Sequence, residues 1–414
     1  MGEPLYGLIG QNLTHSYSVP IHRALGNEAY ALYPLEPEVL GSFLGRADVR
    51  GLNVTIPYKR AVIPYCDRLD ETAASIGSVN TLVRDGAGKL AGYNTDAAGF
   101  LWMAERAGIS LACRKALVLG SGGASLTVQA VLRARGAGEV VVVSRSGPEN
   151  YLNLSQHRDA DLLINATPVG MYPHPGTAPV TLDDFPRLSG VLDLIYNPWK
   201  TALLLRAEAL GIPFSDGLPM LVAQAKAAEE LFTGQPMDDR ANTRILGLMR
   251  RNALNIVLIG MPGSGKSTVG MLLAQLAGRE AIDLDKAVER AAGRSIPEIF
   301  AASGEDAFRA METAQAKQYG MESGKVLITG GGIVTRAENR PLLRQNGRVY
   351  HVLRDVNKLA RSGRPLSLNG NLDAMEARRM PLYEAFRDAT VENNAGAADA
   401  ARLIWRDFCA YTGA

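Results

Sequence analysis

A chain of 414 residues exceeds what one hydrophobic core organises and predicts two to four domains. With 47% apolar and 21% charged residues it has the composition of an ordinary globular protein, which excludes disordered and fibrous classes. Its 44 Lys and Arg against 42 Asp and Glu leave a net charge of +2, too little for a global basic field that would hold a nucleic-acid backbone. No apolar run approaches the roughly 20 residues that span a bilayer. The opening MGEPLYGLIG carries an acid where a signal peptide wants a basic start. Cys66, Cys113 and Cys409 lie far apart and lack CxxC spacing, so free thiols in a reducing compartment are expected, without a zinc site. These features predict a cytoplasmic protein with neither nucleic-acid nor membrane partners. Oligomeric state is not legible in them.

In chain order, short β-rich runs alternate with longer helical patterns, the signature of α/β architecture with parallel sheets. Strands are predicted at Tyr6–Gly10, Leu52–Pro57, Ala116–Gly120, Val140–Ser144, Asp161–Ala166 and Val191–Tyr196. A second series starts at Asn255–Gly260 and continues at Val326–Gly331 and Val349–Leu353. The Asp- and Arg-rich stretch from about Gln235 to Ala253 separates the two series and contains a helical pattern, ANTRILGLMRR. The main boundary is placed near Asn252, with two different folds in tandem.

In the first series, NVTIPYK ends in Lys59, SIGSVNTL contains Asn80 and GYNTD ends in Asp96. A Lys and an Asp brought together can act as a proton-transfer pair, each favouring the other's charged form. Taken alone, a Lys and an Asp apart in sequence are usually just surface charges. Next, Leu117 to Ser125 (LVLGSGGAS) is a strand entering a Gly-rich turn before an apolar helix. It is like the dinucleotide fingerprint with Ser125 at the third glycine position. A plain strand-helix turn explains that string as well. After VVVV stands Ser144-Arg145-Ser146, where an NAD-binding fold places an acid for the ribose 2′-hydroxyl; an Arg there suits a 2′-phosphate and favours NADP(H).

The ordered strings HSYSVPIH, NVTIPYK, SVNTL, GYNTD, GSGGAS, VVSRS, INATPVGM, DLIYNP and GLPMLVAQAKAAEELFTG resemble the shikimate dehydrogenase family across residues 5–235. The resemblance implies Lys59 as general acid/base with Asp96 as its partner, and Ser16 and Ser18 on the substrate carboxylate. Thr55, Asn80, Asp96, Tyr196 and Gln224 would form the polyol pocket. Gly120, Ser121, Gly122, Gly123, Ala124, Ser144, Arg145, Thr167 and Gly217 would line the NADP(H) cleft. Three departures touch pocket shape and leave the polar groups in place: Pro20 falls one place late, Ala97 follows Asp96 where Gly is usual, and Ser78 replaces Ala.

In the second series, Gly260-Met-Pro-Gly-Ser-Gly-Lys266-Ser267 fits G-x-x-x-x-G-K-[ST] between a strand and a helix. Gly263, Ser264, Gly265, Lys266, Ser267 and Thr268 are expected to bind ATP, with loop N–H groups on phosphate at a helix N-terminus, Lys266 on the β- and γ-phosphates and Ser267 on Mg²⁺. AIDLD reads as a short strand whose alternation sets Asp283 and Asp285 on one face, one acid for metal-bound water and the other for an acceptor hydroxyl. GEDAFRAME puts Arg309 and Glu312 on one helical face, and Gly330 to Gly332 are expected to admit a ligand closely. Arg364 and Arg379 follow, on a loop and at its return.

That series resembles the shikimate kinase family, a small nucleoside-monophosphate-kinase-like group, through the P-loop, DLD, GE-x-x-FR-x-x-E, GGG, RPL and R-x-PLY. It implies that Asp285, Arg309, Gly331 and Arg379 hold shikimate, with Asp285 also positioning or deprotonating its 3-hydroxyl. Arg364 would sit on a lid over the nucleotide phosphates, and Ser267 and Asp283 would carry Mg²⁺. The segment between Arg364 and Arg379 is compact for the family.

The expected fold class is α/β: a two-lobed dehydrogenase, then a P-loop three-layer domain. Residues 1–101 would be the substrate lobe, 102–217 a Rossmann-like NADP lobe, 218–245 helices returning to the substrate lobe, 246–253 a linker and 254–414 the kinase. The expected reactions are NADPH-dependent reduction of 3-dehydroshikimate to shikimate and Mg-ATP-dependent phosphorylation of shikimate. Other readings are an NAD-linked quinate/shikimate dehydrogenase, which a cofactor comparison distinguishes, a generic small-molecule kinase, or a non-catalytic sensor. A sensor should lack reactive groups, yet Lys59, Asp96, Lys266 and Asp285 are all present.

Overall fold

The computed structural model describes residues 3–13, 16–238, 240–355, 357 and 372–413. The chain splits into two compact units. One comprises Met1–Met171, Thr177–Tyr196 and Leu203–Leu246, the other Tyr172–Gly176, Asn197–Ala202 and Gly247–Ala414. The stretch expected as a linker, 246–253, is the last part of a helix, Arg240–Ala253. Among the described residues no helix is long and apolar enough to cross a membrane.

The first unit contains two sheets. β1 (Leu5–Gly10), β2 (Ala31–Pro34), β3 (Val49–Val54), β4 (Arg68–Leu69), β5 (Thr81–Arg84) and β6 (Leu90–Tyr93) form one of them, in the order β2-β1-β3-β5-β6-β4. β1 runs parallel to β2 and β3, but β5 is antiparallel to both β3 and β6. The expectation of parallel sheets fails here for a local reason. Asp85 accepts from the N–H groups of Ala87 and Lys89, closing a turn between β5 and β6. That turn is too short for the crossover a parallel pair needs.

The second sheet is the parallel one the sequence predicts. Its strands are β7 (Lys115–Leu119), β8 (Glu139–Val143), β9 (Leu162–Asn165), β10 (Gly190–Asp193) and β11 (Phe214–Ser215), in the order β11-β10-β9-β7-β8. β7, β9 and β10 are buried throughout, one apolar cluster on each face of the sheet, so these strands read as continuous hydrophobic runs. The chain leaves β7 to one side for β8 and returns to its other side for β9. That reversal opens a crevice at the carboxyl ends of the strands.

In the second unit, β12 (Asn255–Ile259), β13 (Ala281–Asp283), β14 (Val326–Ile328), β15 (Gly347–Leu353) and β16 (Ala389–Glu392) form an all-parallel sheet ordered β13-β14-β12-β15-β16. Helices Lys266–Ala277 and Ala397–Thr412 contribute to the core on one face. Helices Ile296–Gly320 and Leu372–Phe386 contribute to the other, which makes three layers.

Candidate active sites

In the first unit a buried acid/base pair sits where two elements begin. Thr95 precedes the helix Asp96–Arg106, so the Asp96 carboxylate lies in the first turn, where the helix dipole favours a negative charge. Lys59, from the turns after β3, reaches it with Nζ 2.5 Å from Oδ2. The other carboxylate oxygen accepts from Asn80 Nδ2 at 2.9 Å, and that amide also contacts Gln224 Oε1 at 3.3 Å. The Lys59 side chain keeps 16% of its surface and Asp96 only 8%, enough opening for Lys59 to meet a ligand. Lys59, Asp96, Asn80 and Gln224, far apart in sequence, thus form one cluster.

Ser16 and Ser18 form a second group, Oγ to Oγ at 3.0 Å, beside which the Tyr17 and Tyr196 rings lie 5.2 Å apart. Burial, with Tyr17 nearby, pushes the Tyr196 hydroxyl up to about 12, so it remains a hydrogen-bond donor. Thr55 follows β3, its backbone N–H donating to Ile9 at 2.9 Å.

The residues expected on NADP(H) cluster at the carboxyl end of the parallel sheet. Gly120 follows β7 with φ +106°, and a side chain there would meet the Ala166 carbonyl at 2.9 Å. Ser121, Gly122, Gly123 and Ala124 lead into the helix Gly123–Ala134, with Ser121 and Gly122 exposed. Ser125, at the third glycine position, is fully buried and accepts from Gln129. Exposed Arg145 and half-buried Ser144 follow β8. Thr167 follows β9, its hydroxyl donating to Asn165 Oδ1 at 2.6 Å, and Gly217 follows β11. A Cβ at Gly123 would come within 3.5 Å of Lys59, so the glycine turn and the acid/base pair share one neighbourhood.

The second unit holds a cavity of about 490 Å³. Gly263, Gly265, Lys266, Ser267, Asp283, Asp285, Arg309 and Arg379 all line it, with Gly330 to Gly332. The loop after β12 turns through Gly263 (φ +87°) and Gly265 (φ +90°) into the helix Lys266–Ala277. Lys266 Nζ donates to the Gly260 and Met261 carbonyls at 2.8 and 3.0 Å. Ser264 is buried, and Thr268 is exposed in the first helical turn.

Asp283 and Asp285 do not share a strand face. β13 ends at Asp283, which caps the helix Leu284–Ala292 by accepting from the N–H of Asp285 at 3.1 Å. Asp285 is therefore a first-turn helical residue, and capping by Asp283 turns the chain before alternation can continue. Burial, with Asp283 beside it, raises the Asp285 carboxyl above the usual carboxylate range against the pull of Lys266 and Arg309. Asp285 Oδ1, Glu312 Oε1 and Arg379 Nε are buried with no hydrogen-bond partner among the described residues.

Arg309 pairs with Glu312 at 2.8 Å, as the helical spacing predicts, on a helix broken at Gly304. Burial pushes Glu312 up to about 7 although Arg309 opposes it. The three glycines line the cavity and also make room inside the protein. A Cβ at Gly330 would meet Asp285 Oδ1 at 2.5 Å and Glu312 Oε1 at 2.6 Å, and one at Gly332 would strike the Arg309 guanidinium. Gly330 and Gly332 thus make room for the protein's own charges, and Gly331 for the Pro262 ring. The Gly331 carbonyl accepts from Arg379 at 3.2 Å and from the Tyr383 hydroxyl at 2.6 Å. Arg364 lies outside the described residues. Sequence reasoning passed over Thr81, Thr95 and Tyr383, all present inside the strings SVNTL, GYNTD and R-x-PLY.

Among the described residues no three His, Cys, Asp or Glu side chains cluster as a metal site. The hard oxygens of Asp283 and Ser267, which both line the cavity, suit a magnesium ion that keeps waters and phosphate oxygens as its other ligands.

Comparison with known proteins adds an independent line. The family model for the shikimate dehydrogenase substrate binding domain matches residues 8–82, and that for shikimate kinase matches residues 262–407. The chain is 41% identical over 261 residues to the shikimate dehydrogenase (NADP(+)) of Methanopyrus kandleri, covering 55% of this chain and 90% of that protein. Among solved structures, it is similar to a chorismate mutase/shikimate 5-dehydrogenase fusion protein from Clostridium acetobutylicum. The TM-score is 0.57 and the identity 34%, over 60% of this chain and 98% of that one. It is also similar to the shikimate 5-dehydrogenase of Thermus thermophilus in complex with NADP(H) and shikimate. There the TM-score is 0.52 and the identity 36%, over 59% of this chain and all of that one.

Proposed function

Because the chain belongs to the shikimate dehydrogenase family and carries a shikimate kinase domain after it, we propose that it makes and then phosphorylates shikimate with two separate sites. The first unit reduces 3-dehydroshikimate with NADPH, and the second transfers the γ-phosphoryl group of ATP to the shikimate 3-hydroxyl. The observation that carries this reading is that each unit sets its own proton-handling carboxylate beside its own nucleotide loop. In one, Asp96 and Lys59 stand next to Gly123; in the other, Asp285 shares a cavity with Lys266. We read residues 1–101 as substrate lobe, 102–217 as nucleotide lobe, 218–245 as the return and 254–414 as kinase.

In the reduction, NADPH supplies the hydride. Lys59 gives a proton to the carbonyl oxygen as the alcohol forms, and Asp96, braced by Asn80, aims the ammonium. Ser16 and Ser18 hold the substrate carboxylate, with Thr55, Tyr196 and Gln224 on the hydroxyls. Gly120 to Ala124, Thr167 and Gly217 line the cofactor crevice. Ser144 and Arg145 take the 2′-phosphate, which a guanidinium binds well.

In the phosphorylation, Mg²⁺ held by Ser267 and Asp283 would neutralise phosphate charge. Arg309 and Arg379 pair with the shikimate carboxylate and Gly331 closes that wall. Asp285 orients the 3-hydroxyl and takes its proton; a raised carboxyl is better matched to that task than an ordinary one. Lys266 leaves the loop carbonyls for the phosphates, and Gly263 to Thr268 bind them through loop and helix N–H groups.

The test is an assay of the whole protein with shikimate plus NADP⁺ and, separately, with shikimate plus ATP and Mg²⁺. Lys59→Ala should abolish only the first activity and Lys266→Ala only the second. Loss of both from either change, or no shikimate-dependent ATP consumption in the parent, would overturn the two-site reading.

A further inference from the structure

A line of buried hydrogen bonds runs from Tyr30 to the acid/base pair of the first unit's site. Ser16 Oγ donates to Ser18 Oγ at 3.0 Å, and the Ser18 side chain neighbours the Tyr30 hydroxyl at the start of that line. Tyr30 donates to Asn53 Oδ1 at 2.8 Å, and Asn53 Nδ2 donates to Thr81 Oγ1 at 3.2 Å. Thr81 donates to Asn80 Oδ1 at 3.2 Å, and Asn80 Nδ2 donates to Asp96 Oδ1 at 2.9 Å, with Lys59 on the far oxygen. Tyr30, Asn53, Asn80 and Thr81 are each no more than 4% exposed, so water does not substitute for these bonds.

The line has a direction, and Tyr30 sets it. A phenol has one proton, and this one goes to the Asn53 carbonyl oxygen, which turns the Asn53 amide N–H toward Thr81. The Thr81 oxygen then accepts, so its own proton points to Asn80 Oδ1 or to Thr95 Oγ1, 3.0 Å away. Asn80 Oδ1 already accepts the Thr95 backbone N–H at 2.7 Å. A second hydroxyl donor on that oxygen, either Thr81 itself or Thr95 turned toward it by accepting from Thr81, polarises the amide and strengthens its N–H bond to Asp96.

Tyr30 is itself clamped. Its ring stacks on His22 with centroids 3.7 Å apart and planes within 5°. His22 Nδ1 lies 2.5 Å from Glu229 Oε1, which also accepts from Asn27 at 2.8 Å. Burial and the Glu229 charge push the Tyr30 hydroxyl well up, so it stays protonated. Glu229 rides on the helix Leu218–Thr233, which also carries Gln224, so one helix braces both ends of the line. Burial lowers the His22 imidazole from its ordinary value against the pull of Glu229, so the contact clamps the ring as a hydrogen bond.

Resting on the reading of Lys59 and Asp96 given above, we propose that Tyr30 is a positioning residue for hydride transfer. Its hydroxyl fixes the hydrogen-bond direction that runs through Asn53 and Thr81 to the Asn80 amide braced against Asp96. Tyr30→Phe keeps the ring on His22 and removes only the donor. Turnover for shikimate oxidation should fall about tenfold with KM for shikimate within about twofold, the kinase activity serving as an internal control. Thr81→Val should match that loss and Thr81→Ser should restore it. The double variant Tyr30→Phe with Thr81→Val should be no slower than Thr81→Val alone, because both cut one line.

Unchanged turnover in Tyr30→Phe, or losses that multiply in the double variant, would overturn the proposal. Should Tyr30→Phe fail to fold, the Thr81→Val and Thr81→Ser pair decides: equal turnover in the two overturns it. Lys59→Ala, assayed alongside, separates the two claims. If it stays active, the acid/base reading falls; if it is dead while Tyr30→Phe is unaffected, only the positioning role falls.

Discussion

The two sites treat buried charge in opposite ways. In the first unit Asp96 is satisfied on both oxygens, by Lys59 and by Asn80, before any substrate arrives. In the second, Asp285 and Arg379, which line a cavity of about 490 Å³, and Glu312 each keep a buried polar atom without a partner among the described residues. The difference follows from the ligands. Carbonyl reduction needs one proton delivered in a fixed direction, so a finished pair serves it. Phosphoryl transfer must gather a carboxylate, a hydroxyl and several phosphates, so its site keeps hydrogen-bonding capacity beside the Arg309–Glu312 pair.

The largest test of this contrast removes each key group in turn. Lys59→Ala should lower dehydrogenase turnover by roughly 10²–10⁴-fold, as loss of an acid/base group does, with ATP consumption unchanged. Asp285→Asn should lower kinase turnover by about 10²-fold or more while the dehydrogenase is spared, measured by ADP release. A smaller effect is expected at the edge of the nucleotide crevice. Arg145→Ala should raise KM for NADPH about tenfold, the scale of one charge-assisted hydrogen bond, and leave KM for NADH unchanged.

The finest test concerns protons. Asp285 can accept a proton only when ionised, and its carboxyl lies above the usual range, so kinase turnover should fall as pH falls through that raised value. Glu289 contributes to the upward shift. Glu289→Gln removes the charge while its Oε1 can still accept from the Ile296 N–H, so the acid limb of the kcat profile should move to lower pH. A limb that moves the other way, or not at all, would remove Asp285 from the proton-transfer step.

The parallel sheets were legible because β7, β9, β10 and β12 are buried throughout and carry near-continuous apolar runs. Strands such as β2, β4 and β16 were not, since they are short and partly exposed and carry no such run. The P-loop announced itself, because phosphate binding through backbone demands glycines at fixed spacing. The acid/base cluster did not, because Lys59, Asn80, Asp96 and Gln224 converge only in three dimensions and their spacing carries no period. DLD misled for a physical reason: an Asp at a strand end is also a good N-cap, and the cap prevailed over alternation. Three successive glycines likewise signalled tight quarters without telling which atoms crowd them.

Lys266 parked on the Gly260 and Met261 carbonyls has a consequence for how nucleotide affinity is composed. An ammonium already solvated by its own loop gives up two acceptors when a phosphate arrives, so binding is an exchange reaction. Its net driving force is the gap between a carbonyl cage and an anion. The same carbonyls satisfy a buried cation that would otherwise destabilise the loop.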